Sequence, residues 1–180
     1  MTTTTIEQID IWRRSNTENE NLEFKEAKTQ YDFEKLCGYC VAIANEGGGV
    51  LLFGIANHPP RPIVGSQAFN NPIGIATKLF EHLGFRVDVE DVAHPEGRVV
   101  IFHIPGRPRG SAFHLKGQYL IRSGESLVPM TEDRLRNIFV EGRPDWLAEV
   151  ARAGAPPAQI VELLDTQGYF DLMKMPYPAT

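Results

Sequence analysis

Residues 33–57 have the sequence FEKLCGYCVAIANEGGGVLLFGIAN, and this stretch decides the fold. Apolar residues recur at helical spacing in its first half, which predicts a helix, and Thr29 and Asp32 precede it in a capping-box-like arrangement. The glycines at 47–49 end this helix. The near-continuous apolar run at 50–57 then predicts a central strand that is buried on both faces. The apolar positions of the helix are Phe33, Leu36, Cys37, Cys40, Val41 and Ala44.

The remaining segments on both sides of this stretch predict an α+β fold. Strands joined by the HPEG turn at 94–97 indicate a hairpin. We expect a mixed sheet flanked by helices, formed by residues 1–142, and a short helical tail at 143–180 that leads into further domains. Helices are predicted at 6–14, 71–83, 131–140, 145–152 and 158–164, and strands at 21–26, 85–92, 97–104 and 118–124.

Composition and charge limit the classes of function. A net charge of −5 and a pI near 5.5 argue against a protein that coats nucleic acid non-specifically, although a local basic face is compatible with them. The first residues do not resemble a secretory signal, and no apolar run is long enough to span a bilayer. With only two cysteines, we expect a cytoplasmic protein without disulfides.

Two short motifs in the central stretch have simpler explanations than chemistry. Cys37 and Cys40 lie in the middle of the predicted helix on its apolar side, where core thiols are expected rather than a redox pair. No second cysteine pair is present to complete a zinc site. The glycines at 47–49 follow a helix and precede a strand, which is the reverse of a phosphate-binding loop, so no nucleotide site is indicated.

A basic segment near the C-terminal end of the domain has two interpretations of equal weight. It carries arginines, lysines and a histidine together with Phe113 and Tyr119, and it has no acid before Glu125. Cations interleaved with aromatic side chains suit a phosphate backbone and exposed bases. The alternative is a solvated loop beside a strand. The candidate nucleic-acid contacts are Arg107, Arg109, His114, Lys116 and Arg122.

The segment ENENLEFKEA at 18–27 places several carboxylates around a short apolar alternation. In an extended chain Leu22 and Phe24 point one way, and Glu23 and Lys25 point the other way. We therefore expect Glu23 and Lys25 to share an accessible face of one strand. Two acids five residues apart, such as Glu18 and Glu23, are more often solvated surface than a site.

Three motifs taken in order resemble the Schlafen-type AlbA-like domain family. They are E-x4-E-F-K at 18–25, A-x-A-N-x-x-G-G at 42–49 and Y-x-x-R-x-G at 119–124. The family includes bacterial regulatory and DNA-binding proteins and the nuclease core of vertebrate Schlafens. The resemblance extends over residues 12–140.

The resemblance implies a metal-dependent catalytic site, of which this sequence retains only a part. In active Schlafens, two glutamates and a downstream aspartate bind divalent metal and cut RNA, and the glutamates correspond to Glu18 and Glu23. Mg²⁺ or Mn²⁺ would be held against a phosphate there, with Lys25 neutralising the developing charge. The position of the third acid is occupied by Asn57, which offers an oxygen but no negative charge.

Taken together, these features predict a nucleic-acid-binding module at the N-terminus of a bacterial regulatory or defence protein. Lys25 and Lys28 join the basic segment as expected contacts with RNA or DNA. A divalent-metal-dependent endonuclease using Glu18 and Glu23 is the first alternative, and a protein-interaction or oligomerisation module is the second. A single lobe could also form a homodimer to build the groove that two lobes form in vertebrate Schlafens.

Overall fold

The computed structural model describes residues 3–14, 21–124, 126–142, 153–154, 156, 158–159 and 165–176. The chain divides into two compact units, Met1–Arg143 and Pro144–Thr180. The elements are α1 (Ile6–Arg14), β1 (Leu22–Lys25), α2 (Phe33–Asn45), β2 (Gly49–Phe53), α3 (Pro72–Leu83), β3 (Asp88–His94), β4 (Gly97–Ile104), β5 (Leu120–Ser123), β6 (Ser126–Pro129), α4 (Glu132–Glu141) and α5 (Thr166–Leu172). The α+β class and the mixed sheet flanked by helices are confirmed.

The central sheet has four strands in the order β1-β2-β4-β3. β1 and β2 are parallel, and β4 pairs antiparallel with both β2 and β3. The predicted hairpin is therefore confirmed as β3–β4. Glu23 lies beside Leu51 and Lys25 beside Phe53 in the β1–β2 register, so these four side chains point to the same face of the sheet.

Helix α2 covers that face of the sheet. Asp32 caps its N-terminus, because the Asp32 side chain accepts a hydrogen bond from the backbone N–H of Lys35 at 2.8 Å. The β5–β6 hairpin packs directly on the helix at Gly38, where a Cβ atom would lie 2.9 Å from Leu127 Cδ1. The core on this side contains residues from the helix and the sheet, among them Leu36, Cys37, Cys40, Val41, Leu51, Phe53 and Phe102.

Both cysteines are buried and unlinked, so the prediction of core thiols is confirmed as to their position. Burial raises the pKa of the Cys37 thiol to about 11 and raises the pKa of Cys40 as well. Neither thiol is therefore a reactive thiolate at neutral pH.

Helix α1 covers the opposite face of the sheet. Ile9 is fully buried there against the other side of β1, where Leu22 and Phe24 point, and against Leu52 of β2. The burial predicted for Leu22 and Phe24 is confirmed. Because helices cover both faces, β2 is buried on both sides, which accounts for its near-continuous apolar sequence.

The turn between α2 and β2 depends on glycine. Gly48 has a φ of +89°, and a Cβ atom there would lie 2.5 Å from the Gly106 nitrogen and 2.7 Å from the Ile104 oxygen. Only glycine allows this close approach of the turn to the end of β4. The predicted helix end at the glycine cluster is thus confirmed.

Two elements differ from the expectations. Strand β6 forms a separate two-stranded sheet with β5, and α5 lies further along the helical tail than the two helices predicted there. The helices predicted at 145–152 and 158–164 lie outside the described residues, apart from 158–159. None of the described helices is long and apolar enough to cross a membrane.

Candidate functional site

Glu23 is buried at the centre of a cluster of three charged side chains. Only 1% of its surface is exposed, and its Oε1 atom lies 2.5 Å from Lys25 Nζ. The guanidinium of Arg122, from β5, donates to the Oε2 atom. The prediction that Glu23 lies on an accessible face is therefore wrong, although its alternation with Leu22 and Phe24 is correct.

The hairpin that contains β5 explains this burial. Glu23 points to the face of the sheet that α2 covers, and β5 brings Arg122 to the same side. Arg122 also lies within hydrogen-bonding distance of the carbonyls of Leu22 and Gly124, at 3.4 Å each. Arg122 is itself buried and paired with Glu23, which leaves little of its surface for a phosphate, so its contact with nucleic acid stays a prediction.

Lys25 connects this ion cluster to a pocket. Burial lowers the pKa of Lys25, but hydrogen bonding and attraction from Glu23 outweigh that effect, so the pKa lies above its ordinary value. The ammonium also lies 4.7 Å from the ring centroid of Tyr39. Among the described residues, the carboxylate of Glu23 is shared by two cations, Lys25 and Arg122.

The pocket lies at the carboxyl ends of the parallel strands β1 and β2. It has a volume of about 460 Å³, and its lining residues are Lys25, Glu26, Ala27, Tyr31, Ala56, Asn57 and His58. The carboxyl ends of parallel strands are the usual place for ligands in such sheets. The Asn57 Oδ1 atom is buried without a hydrogen-bond partner among the described residues. The structure thus brings Lys25 and Asn57 to one pocket, as the family resemblance implied.

The described residues of this site do not fit a Mg²⁺ or Mn²⁺ ion. These cations require anionic oxygens that are free to coordinate. Both carboxylate oxygens of Glu23 already accept from cations, Glu26 pairs with Lys28 at 3.5 Å, and Asn57 adds no negative charge. Among the described residues, no three acidic, histidine or cysteine side chains converge at this pocket. Glu18 lies outside the described residues.

A second group of possible metal ligands has a structural role. Asp10, His94 and Glu96 have ligand atoms within 4.8 Å of one another. Arg13 pairs with both carboxylates, at 2.5 and 2.6 Å. His94 Nδ1 accepts the Glu96 backbone N–H at 3.1 Å, so the neutral ring carries its proton on Nε2 and cannot ligate through that atom. This cluster fastens α1 to the β3–β4 hairpin.

The cations of the predicted nucleic-acid segment separate into paired and exposed ones. Arg107 binds Glu141 through two hydrogen bonds of 2.7 and 2.8 Å, which raise the pKa of Arg107. Arg109 and Lys116 are exposed, although Lys116 also lies 2.8 Å from Glu34. His114 and Lys28 are exposed too.

Asn45 holds this segment in place, and the motif A-x-A-N-x-x-G-G did not reveal that role. Its side chain is buried at the end of α2, where it donates to the carbonyls of Phe113 and Leu120 at 2.9 Å each. It also accepts the backbone N–H of Phe113 at 2.8 Å. These three hydrogen bonds fix the backbone on both sides of residues 114–119, so Asn45 positions the exposed side chains there. In the sequence, the one signal for this role was the position of the asparagine just before the glycines at 47–49.

The comparisons with known proteins agree with this architecture. The family described as Schlafen, AlbA_2 matches residues 18–131. The crystal structure of the DIP2311 protein from Corynebacterium diphtheriae is similar with a TM-score of 0.58 and 18% identity, over 87% of this chain and 36% of that chain. At this identity the similarity concerns the fold alone, and this chain spans little more than a third of that protein. No functionally curated protein matches the chain. Because the family match covers more than half of the chain, from the segment before β1 to the N-cap of α4, the chain belongs to the Schlafen AlbA_2 family.

Proposed function

We propose that this chain is a nucleic-acid-binding module. The observation that carries the proposal is the set of exposed side chains Arg109, His114 and Lys116 on the segment that also carries Tyr119 and that Asn45 holds in place. Cations with neighbouring aromatic rings are the contacts that phosphates and bases require. Membership of the Schlafen AlbA_2 family supports the same function.

The pocket at the ends of β1 and β2 supplies a second contact. Lys25 lines this pocket, and Lys28, which is exposed nearby in sequence, lies 3.5 Å from Glu26 of the same pocket. A phosphate group would accept hydrogen bonds from these ammonium groups without a metal ion. The chain as a whole has a net charge of −5, so binding is local and of moderate affinity.

The direct test measures the binding of fluorescently labelled RNA and DNA by anisotropy, with Mn²⁺ or with EDTA. We expect binding in both conditions and intact oligonucleotides afterwards. Mn²⁺-dependent cleavage would instead establish the endonuclease alternative. A failure to bind any oligonucleotide, together with a stable oligomer in solution, would establish the protein-interaction alternative.

A double variant tests which cations make the contacts. Arg109→Ala/Lys116→Ala removes two exposed charges and should reduce the salt dependence of single-strand binding by about 1.4 in log–log slope. Arg14→Ala/Arg86→Ala is the matched control, since these two cations are exposed at the end of α1 and just before β3. An equal change in both variants would mean that the segment is not a specific contact.

The proposal also covers the cellular location of the module, its position in a longer protein and its oligomeric state. We place it in the cytoplasm, at the N-terminal end of a longer bacterial regulatory or defence protein, where two copies form the binding groove. Sedimentation of the chain with and without oligonucleotide tests the homodimer, since a mass of one copy in both cases would contradict it.

A further inference from the structure

Three aromatic side chains form a strip beside the exposed cations. They are His114, Tyr119 and Phe139, here called the aromatic strip. The ring centroids of His114 and Tyr119 are 5.6 Å apart, and those of Tyr119 and Phe139 are 6.4 Å apart, both in edge-to-face arrangement. The strip joins the segment before β5 to α4.

The exposure of this strip is not explained by folding. Phe139 is 46% exposed, His114 is exposed and Tyr119 is half-buried. The neighbouring Ile138 is buried and already anchors α4 to the domain. A single half-exposed phenylalanine is common on a protein surface, but Phe139 contacts the ring of Tyr119, which contacts His114, so the three rings form one aromatic surface.

Phe113, in the same segment, is an aromatic residue with a structural role. Its ring stacks on Phe85 at a centroid distance of 4.2 Å and packs against the core. The sequence grouped Phe113 with Tyr119 as interleaved aromatic residues. Both rings are half-buried, but Phe113 packs against the core whereas Tyr119 contacts His114 and Phe139.

Electrostatic attraction alone would give only weak binding at this surface. Arg122 is engaged by Glu23 and Arg107 by Glu141. Two exposed cations remain in the segment, Arg109 and Lys116, and the Lys116–Glu34 pair is solvent-exposed and easily exchanged for a phosphate. Two phosphate contacts on a single strand give a log–log salt slope of only about −1.4.

We infer that the aromatic strip stacks the unpaired bases of single-stranded nucleic acid, while Arg109 and Lys116 hold the flanking phosphates. This inference rests on the proposed function and names its substrate class. Base faces are accessible in a single strand and hidden in a duplex. Stacking is also largely independent of salt, which suits a surface with few free cations.

The test compares a single strand of about 16 nucleotides, the upper end of a single-stranded site, with the duplex of the same sequence. The intact 180-residue chain should bind the single strand about tenfold more tightly than the duplex. Phe139→Leu keeps an apolar side chain but removes the ring, and it should weaken single-strand binding about tenfold with an unchanged salt slope. Phe139→Tyr should retain the affinity. Val140→Ala is the matched control, since Val140 is 48% exposed on the same helix and has no ring.

The outcomes separate this inference from the proposed function. If the wild type binds no nucleic acid, the proposed function fails and the inference with it. If it binds duplex as tightly as single strand, or if Phe139→Leu has no effect, the inference alone is overturned. A change of oligomeric mass in Phe139→Leu with unchanged affinity would also overturn it, because the ring would then be a protein contact.

Discussion

Two regions of the domain carry charged side chains, and they differ in solvent exposure. One is the ion cluster of Glu23, Lys25 and Arg122, and the other is the aromatic strip with Arg109 and Lys116. In the cluster, Glu23 and Arg122 are buried and the carboxylate binds two cations. In the strip, the charges are exposed and weakly paired. Removing one partner of a buried pair costs several kcal/mol, whereas an exposed pair contributes about 1 kcal/mol or less.

This difference in burial shows which charges are available to a ligand. Charges in the cluster stabilise the contact between β1 and β5, and only Lys25 also lines a pocket. Exposed cations contribute little to stability, so they can exchange protein partners for phosphates at low cost. We therefore expect substitutions in the two regions to affect different measurements.

The largest expected effect is the loss of stability in Glu23→Gln. The change leaves Lys25 and Arg122 without their carboxylate, and we expect a decrease of about 3–5 kcal/mol in the free energy of unfolding, measured with urea. Glu26→Gln is the matched control, since Glu26 is exposed directly after the same strand, and it should remain within about 0.5 kcal/mol of wild type. If Glu23→Gln were neutral but abolished stabilisation by Mn²⁺, Glu23 would be a metal ligand rather than an ion-pair partner.

A smaller effect should distinguish Arg107 from Arg109. Arg107→Ala removes two hydrogen bonds to Glu141 and one to the Asn45 carbonyl, so we expect a loss of about 1 kcal/mol with an unchanged salt slope of binding. Arg109→Ala should keep the stability and reduce the single-strand slope by about 0.7. Unfolding curves and salt titrations of both variants are the measurement, and the reverse pattern would mean that Arg107 is the phosphate contact.

Local patterns predicted the elements that decide the fold. The helix at 33–45, the buried strand after it and the β3–β4 hairpin follow from apolar periodicity and from glycine and turn positions. Strand β6 was missed because its sequence, SLVP, has only two large apolar residues and ends in proline, which is unfavourable within a strand. The alternation along β1 correctly separated Glu23 from Phe24, but it could not show that β5 covers the charged side.

The candidate site was predicted only in part, because local patterns do not show contacts between segments that are distant in sequence. Lys25 and Asn57 share a pocket, as the family resemblance implied. The role of Arg122 could not be predicted from a count of basic residues, because pairing with Glu23 is a contact across 99 residues of sequence. Phe139 was also missed, since the exposure of one face of α4 depends on tertiary packing.

The smallest expected effect is the pH dependence that the Arg107–Glu141 pair gives to stability. Hydrogen bonding from Arg107 holds the pKa of Glu141 below its ordinary value. A carboxyl group with a lowered folded-state pKa contributes stability above its unfolded pKa of about 4.3, and this contribution is lost as the pH falls through the folded-state pKa. Glu141→Gln should therefore melt slightly below wild type at pH 7, and the two curves should converge on acidification.

A double-variant cycle assigns that effect to the pair. In an Arg107→Met background, the hydrogen bond that lowers the Glu141 pKa most is absent, so Glu141→Gln should change the melting temperature much less at pH 7. Melting temperatures of the four proteins between pH 3 and pH 7 are the measurement. An undiminished effect of Glu141→Gln in that background would mean that other groups, such as Arg109, depress the Glu141 pKa. Arg109 would then be partly engaged by the protein itself and less available to a phosphate, which would weaken the contrast between the two regions.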